Sequence, residues 1–220
     1  MILLVPAYPH PDHARRGEIA LCLHANLAHP QIERVLVFGD SPEVASHPKL
    51  TRVPGTDRPT FAALFRRAAI FTGEVVIIAN ADIYFDHTLS LAASIGDDDF
   101  YALSRWNPVT GRISGSSVAQ DGTVCIPLSI GADAWIFRAP LTLRMCSADF
   151  PQGRPFCDHH LAYIATAAGL RATNPCHSIR AWHAHATRLR TYTAADSIPG
   201  DYAWLPPTAL PLHPPCVASA

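Results

Sequence analysis

Three short runs in the chain are apolar at every position: "ILLV" (2–5), "VLVF" (35–38) and "VVII" (75–78). They are too short for helices and rich in strand-forming residues. A run apolar on both alternating faces predicts a strand covered on both sides, as in a parallel sheet. Between the first two runs, "RRGEIALCLHANLAH" places Ile19, Leu23 and Leu27 at helical spacing. Between the second and third, "PTFAALFRRAAIFTG" puts Phe61, Leu64, Phe65 and Ala68 on one helical face before a glycine stop. "LTRVP" (50–54) adds a further strand. Strand, helix, strand, helix, strand in that order predicts an α/β fold with right-handed crossovers.

The pattern changes after Asp86. A short helix over "LSLAASI" and a strand over "DFYALSRW" are expected first. "GRISGSSVAQDGTVCIPLS" then reads as strand, turn at Asp121-Gly122 and strand, so the second half takes on hairpin character. "ADAWIFRAP" is one more strand, and "FCDHHLAYIATAAGL" is a helix stopped by Gly169. From about Ser197 the chain is proline-rich, which predicts an extended or disordered tail. The division expected is a single domain over residues 1–195 with a C-terminal tail over 196–220.

Composition narrows the picture. With 220 residues, 49% hydrophobic and 16% charged, the chain is long enough to bury a full core. A formal net charge of −1 gives no global field toward nucleic acid. No apolar run approaches the length of a transmembrane segment. In "MILLVPAYPHPDHARR" the basic residues follow the apolar run, the reverse of a secretory signal. The six cysteines form no CxxC pair, which argues against zinc-ribbon and thioredoxin chemistry and fits a reducing, cytoplasmic compartment.

In parallel α/β sheets, ligands bind beyond the carboxyl ends of the strands. The first strand end offers Pro6, Ala7 and Tyr8, with Arg15, Arg16 and Glu18 on the helix that follows; the second offers Gly39 and Asp40. The third offers Asn80, Asp82 and Asp86. Neither Gly-x-Gly-x-x-Gly after the first strand nor Gly-x-x-x-x-Gly-Lys anywhere is present to cradle phosphates. A phosphorylated nucleotide would therefore need another neutralising group, which a divalent cation on Asp82 supplies. Asp86, just before "HTLSLAASI", suits a helix N-cap better.

The stretch "AAIFTGEVVIIANAD" resembles the middle of nucleotide-diphospho-sugar glycosyltransferases of the GT-A fold (family-2-like), and the resemblance extends over roughly residues 1–190. It implies a mostly parallel central sheet flanked by helices, with an antiparallel part in the second half. There a strand delivers an Asp-x-Asp motif whose second acid holds Mn2+ or Mg2+ against a nucleotide diphosphate; this chain has Asn80 in place of the first acid. The resemblance also implies a late metal-binding histidine in "RAWHAHATRLRTY", where His185, ahead of His183, qualifies; Arg188 and Arg190 nearby are candidates to bind diphosphate oxygens or form a solvated face. Asp158, in "GRPFCDHHLAY", takes the place of the general base that deprotonates the acceptor, with His159 and His160 as competing proton carriers. An acid in a first helical turn is also favoured by the helix dipole alone.

Asp133 in "SIGADAWIFR" is a candidate for donor-sugar contacts, and Trp135 for either a sugar platform or core. Arg15 and Arg58 are placed to approach a nucleotide, although "TDRPTF" around Arg58 also carries a helix-start pattern. The expected partners are a nucleotide-diphosphate sugar donor and an acceptor that is a glycan, a lipid or a small molecule. Two other readings stay open. A sugar nucleotidyltransferase would share the fold, yet the chain after the first strand is Pro-rich with no glycine before Gly17. A nucleotide-sugar or metal binder without transfer activity would accommodate Asn80.

Overall fold

Each of the three uninterrupted apolar runs is a strand in the computed structural model, which describes residues 1–6, 10–39, 46–55, 58–127, 130–184 and 192–211. The first half comprises β1 (Ile2–Pro6), α1 (His13–Ala28), β2 (Arg34–Phe38), β3 (Leu50–Val53), α2 (Phe61–Ala68), β4 (Val75–Ala79) and β5 (Ile83–Phe85). Asp12 caps α1 by accepting from the Arg15 N–H at 2.8 Å. Thr60 caps α2 by accepting from the Ala63 N–H at 3.2 Å. The second half adds β6 (Asp99–Leu103), β7 (Arg105–Asn107), β8 (Arg112–Ile113), β9 (Ser117–Val118), β10 (Val124–Cys125), β11 (Ala134–Arg138), α3 (Cys157–Ala167), β12 (Arg171–Thr173) and β13 (Ala181–His183).

The main sheet has seven strands in the order β12-β6-β11-β4-β1-β2-β3. Only β11 runs antiparallel to its neighbours. The alternation of side chains explains the apolar runs. Leu3, Val5, Val35, Val37 and Ile77 pack with Ile19, Leu23 and Leu27 of α1. Ile2, Leu4, Leu36 and Ile78 face the other way, toward Phe61, Leu64 and Phe65 of α2 and Leu161 of α3. Both faces are buried, so neither can be polar.

The chain builds β1, β2 and β3 outward, then returns to lay β4 on the other side of β1. This reversal makes a topological switch point at the carboxyl ends of β1 and β4, where open α/β sheets form their crevice. A second, four-stranded sheet in the order β5-β13-β7-β8 stands beyond that edge. The expected single strand over "DFYALSRW" divides at Ser104 to serve both sheets. The cause is Asn174, whose side chain accepts from the Ser104 N–H at 3.0 Å and donates to its hydroxyl at 2.8 Å. These bonds satisfy buried backbone where the ladder stops.

Residues 200–211 run extended over the body. Thr208 donates its N–H to the Asn174 carbonyl at 2.8 Å, and Ala203 donates to the His159 carbonyl at 3.0 Å. Among the described residues, no helix is long and apolar enough to cross a membrane.

Candidate active site

Asp82 follows β4 at the switch point and is 5% exposed. An isolated buried carboxylate would be costly, so its partners matter. The Arg15 guanidinium, from the first turn of α1, donates to Asp82 Oδ2 at 2.5 Å. Arg15 also donates to Glu18 Oε2 at 2.8 Å, an i,i+3 contact within the helix. His183 Nε2 lies 2.9 Å from the same Asp82 oxygen. The small sheet explains that approach: β13 runs antiparallel to β5 with His183 opposite Ile83, and the Ala184 N–H donates to the Asp82 carbonyl at 3.0 Å. Thus β4, α1 and β13, far apart in sequence, converge on one carboxylate.

Could these groups hold a divalent cation? Among the described residues, Asp82, Glu18 and Arg15 leave the cluster one negative charge in excess before His183 is counted. A carboxylate with an adjacent imidazole suits Mn2+, whose other ligands come from diphosphate and water. No group of three or more His, Cys, Asp or Glu side chains able to hold a metal occurs among the described residues. Cys22 is no thiolate donor: burial, then the charge of Asp82, pushes its thiol up to about 12. The chemistry of the donor pair therefore fits an ion shared between protein and substrate.

Asn80, which breaks the acidic pattern, has a structural explanation. Its N–H donates to the Asp133 carbonyl at 2.9 Å, continuing the β4–β11 pairing. Its side-chain amide donates to Asp133 Oδ1 at 2.5 Å, and its amide oxygen accepts from Gln152 Nε2 at 2.8 Å. Arg105 donates to the other Asp133 oxygen. An amide can donate to a carboxylate on one side and accept on the other, whereas an ionised Asp in its place could only accept. Asp133 in turn is 7% exposed and held from two directions.

Asp158 opens α3, and its Oδ2 accepts from the Ala132 N–H at 2.9 Å. Gly131 lets it come this close: a Cβ there would lie 2.2 Å from the same oxygen. Burial raises the Asp158 pKa foremost, the charge of His159 lowers it, and the charge of Asp133 raises it again; the net direction is up. Such a shift moves a carboxylate toward the range of a working base.

Asp82, Asn80, Asp133 and Arg15 thus gather at the carboxyl edge of β4, with Asp158 within the electrostatic reach of Asp133. Pro6 ends β1 beside them, paired with Phe38. Trp135 is a different case. Its side chain is 1% exposed, with Phe61 edge-on at 4.8 Å, so it offers no face to a sugar and belongs to the core. The charge of Arg58 contributes, after the hydrogen bonds of Thr193 and the charge of Arg154, to lowering the Asp196 carboxyl pKa. Ala7, Tyr8, Asp40, His185, Arg188 and Arg190 lie outside the described residues. Asp86 is the expected cap, here of a 3-10 helix over His87–Ser94, accepting from the Thr88 N–H at 2.9 Å. Sequence reasoning missed Arg105 and Gln152, which carried no local motif.

No family model matches the chain, and no curated protein does. Among solved structures, it is similar to the mannosyltransferase PcManGT from Pyrobaculum calidifontis in complex with GDP-Man and Mn2+. That likeness has a TM-score of 0.53 and 21% identity, covering 85% of this chain and 57% of that one. It is also similar to S. aureus TarS in complex with UDP-GlcNAc, with a TM-score of 0.50 and 16% identity over 86% of this chain and 61% of that one. Francisella tularensis 2-C-methyl-D-erythritol 4-phosphate cytidylyltransferase follows at a TM-score of 0.46 and 11% identity, over 78% of this chain and 87% of that one. The chain therefore spans about 57% and 61% of the length of the first two. Its mostly parallel sheet flanked by helices, with the antiparallel strand and second sheet of its later half, is the GT-A fold.

Proposed function

We propose that the chain transfers a sugar from a nucleotide-diphosphate sugar to an acceptor hydroxyl, with Mn2+ or Mg2+ held at Asp82. The observation that carries this reading is the buried Asp82 carboxylate at the switch point, met there by Arg15 and His183. Its support from likeness is the solved complex of PcManGT with GDP-Man and Mn2+. When bound, the cation would neutralise the diphosphate and favour its departure. Asp82 and His183 are the described residues that would hold it, and His185 is the further candidate. Arg15 pairs with Asp82 and brings a positive group to the phosphates, with Arg58 as a more distant contributor.

The remaining residues act on the sugars. Asp133, fixed by Asn80 and Arg105, presents its carboxylate to donor hydroxyls. Asp158 takes the proton of the acceptor hydroxyl as its oxygen bonds to the anomeric carbon and the bond to the diphosphate breaks. Pro6, at the end of β1, would contribute to the nucleotide side of the crevice, with Ala7 and Tyr8, outside the described residues, as further candidates.

Incubation with a panel of GDP- and UDP-sugars in Mn2+ tests the reading. Slow release of nucleoside diphosphate, with water as acceptor, is the expected result. Pyrophosphate release from a nucleoside triphosphate and a sugar phosphate would instead identify a nucleotidyltransferase. Tight donor binding with no release over days would identify a binding protein.

A further inference from the structure

Exposed aromatic rings are few, and their placement is uneven. Among the described residues they are Phe156 (42%), Tyr163 (37%), Tyr192 (38%) and Trp204 (45%). Three of the four lie on α3, on its cap, or on the strap that crosses its first turn. The strap is tied down there: the Ala203 N–H donates to the His159 carbonyl at 3.0 Å, and His160 Nδ1 lies 2.7 Å from the Asp201 carbonyl. Trp204 lies against His159 with ring centroids 3.9 Å apart, and Tyr202 lies 5.2 Å from Phe156. Asp158 belongs to the same helical turn, and Asp158, His159, Ala203 and Leu205 line one small cleft.

Phe156 adds a second, independent sign. Its φ of 63° and ψ of 5° place it in the left-handed region, the only such non-glycine residue among those described. A phenylalanine seldom adopts that backbone, and its packing beside Tyr202 and His159 still leaves 42% of the residue exposed. Strain that packing does not explain points to function.

We propose that this ring cluster is an acceptor subsite for a carbohydrate. One pyranose stacks its C–H face on Trp204 and Phe156, and a hydroxyl on its edge reaches Asp158. The inference rests on the function proposed above, since it takes Asp158 as the base. A sugar fits the patch because its faces are apolar while its rim hydrogen-bonds, and here rings border a carboxylate and an imidazole. An anionic membrane would call for a basic stripe, whereas this turn carries Asp158, His159, His160 and Asp201, the Cys157 thiol is buried, and the nearby Arg154 is paired with Asp196 at 2.6 Å.

The test uses the full chain labelled with fluorotryptophan and followed by fluorine NMR. Its four tryptophans give separate signals, and Trp204→Phe assigns one of them. Chitotriose, maltotriose and mannotriose are titrated in turn. At least one should move the Trp204 signal saturably, with a Kd on the order of 1 mM. Phe156→Gly should weaken that binding roughly tenfold while leaving Tm unchanged or raised, because glycine accepts a positive φ freely. A ring with a merely structural role would lower Tm on removal and leave sugar binding alone, which overturns the proposal.

Three other results overturn it too. They are silence toward all three trisaccharides, a Trp204 shift that follows protein concentration without sugar, and a shift produced only by phospholipid vesicles. GDP and UDP binding in Mn2+ is measured on the same sample. Donor binding without saccharide binding rejects the acceptor subsite alone, whereas absence of both rejects the donor reading beneath it.

Discussion

Asp158→Asn is expected to lower donor turnover by about 10²- to 10⁴-fold, the usual range for loss of a positioned base. Affinity for the nucleotide should stay within about threefold, since nothing in the variant touches the Asp82 cluster. The variant should also melt no lower than the wild type. Burial raises the Asp158 pKa in the folded state. A carboxyl raised in this way stabilises the fold while protonated, and the benefit is lost as pH rises through the folded pKa. At neutral pH its charge is thus a liability, and a neutral Asn at position 158 can still accept from the Ala132 N–H.

The pH profile carries a second signature. Wild-type turnover should rise with pH along a limb displaced above the ordinary carboxylate value, because burial and Asp133 both hold the proton on Asp158. Asp133→Asn removes the second cause and should move that limb to lower pH. Unchanged turnover in Asp158→Asn would remove Asp158 as the base and leave the donor assignments standing.

Asn80→Asp restores the acidic pattern and is expected to damage the protein. The amide lies 2.5 Å from Asp133 Oδ1 as a donor. A carboxylate in its place sets two like charges in contact and removes the N–H that the amide donates to Asp133. Loss of that bond with added repulsion should cost about 2–3 kcal/mol. For a chain of this size the Tm should fall on the order of 5–10 °C. The introduced carboxyl would have a folded pKa raised by Asp133, so it is tolerated when protonated and harmful above that pKa. The deficit should therefore shrink as pH falls toward about 4. Denaturant melts at two pH values check this. A variant as stable as the wild type, with stronger Mn2+ binding, would show that Asn80 merely weakens the metal site.

Sequence pattern reached some of this structure and stopped at definable places. β1, β2 and β4 were legible because burial on both faces leaves nothing but an apolar run. Asp82 was legible because a carboxylate just after such a run is out of keeping with it. The histidine pair stood out by its i,i+2 spacing, yet only the pairing of β13 with β5 brings His183 to Asp82. Gln152 and Arg105 were hidden because their contacts span 72 and 28 residues, and neither belongs to a local motif. Trp135 was ambiguous for a physical reason: an indole serves a sugar or a core equally well until its exposure is known. The break at Ser104 depends on Asn174, 70 residues away, so no window around "DFYALSRW" contains its cause.

The most direct measurement is calorimetric titration of GDP and UDP into wild type and Asp82→Asn, each with Mn2+ and with EDTA. Wild type should bind one of the two nucleotides more tightly in Mn2+ than in EDTA. Asp82→Asn should lose that increment, a fall of about 100-fold or 2.7 kcal/mol, while keeping a cooperative melt. Equal affinity of variant and wild type in Mn2+ would contradict the assignment of Asp82 as the residue on which the donor site is built.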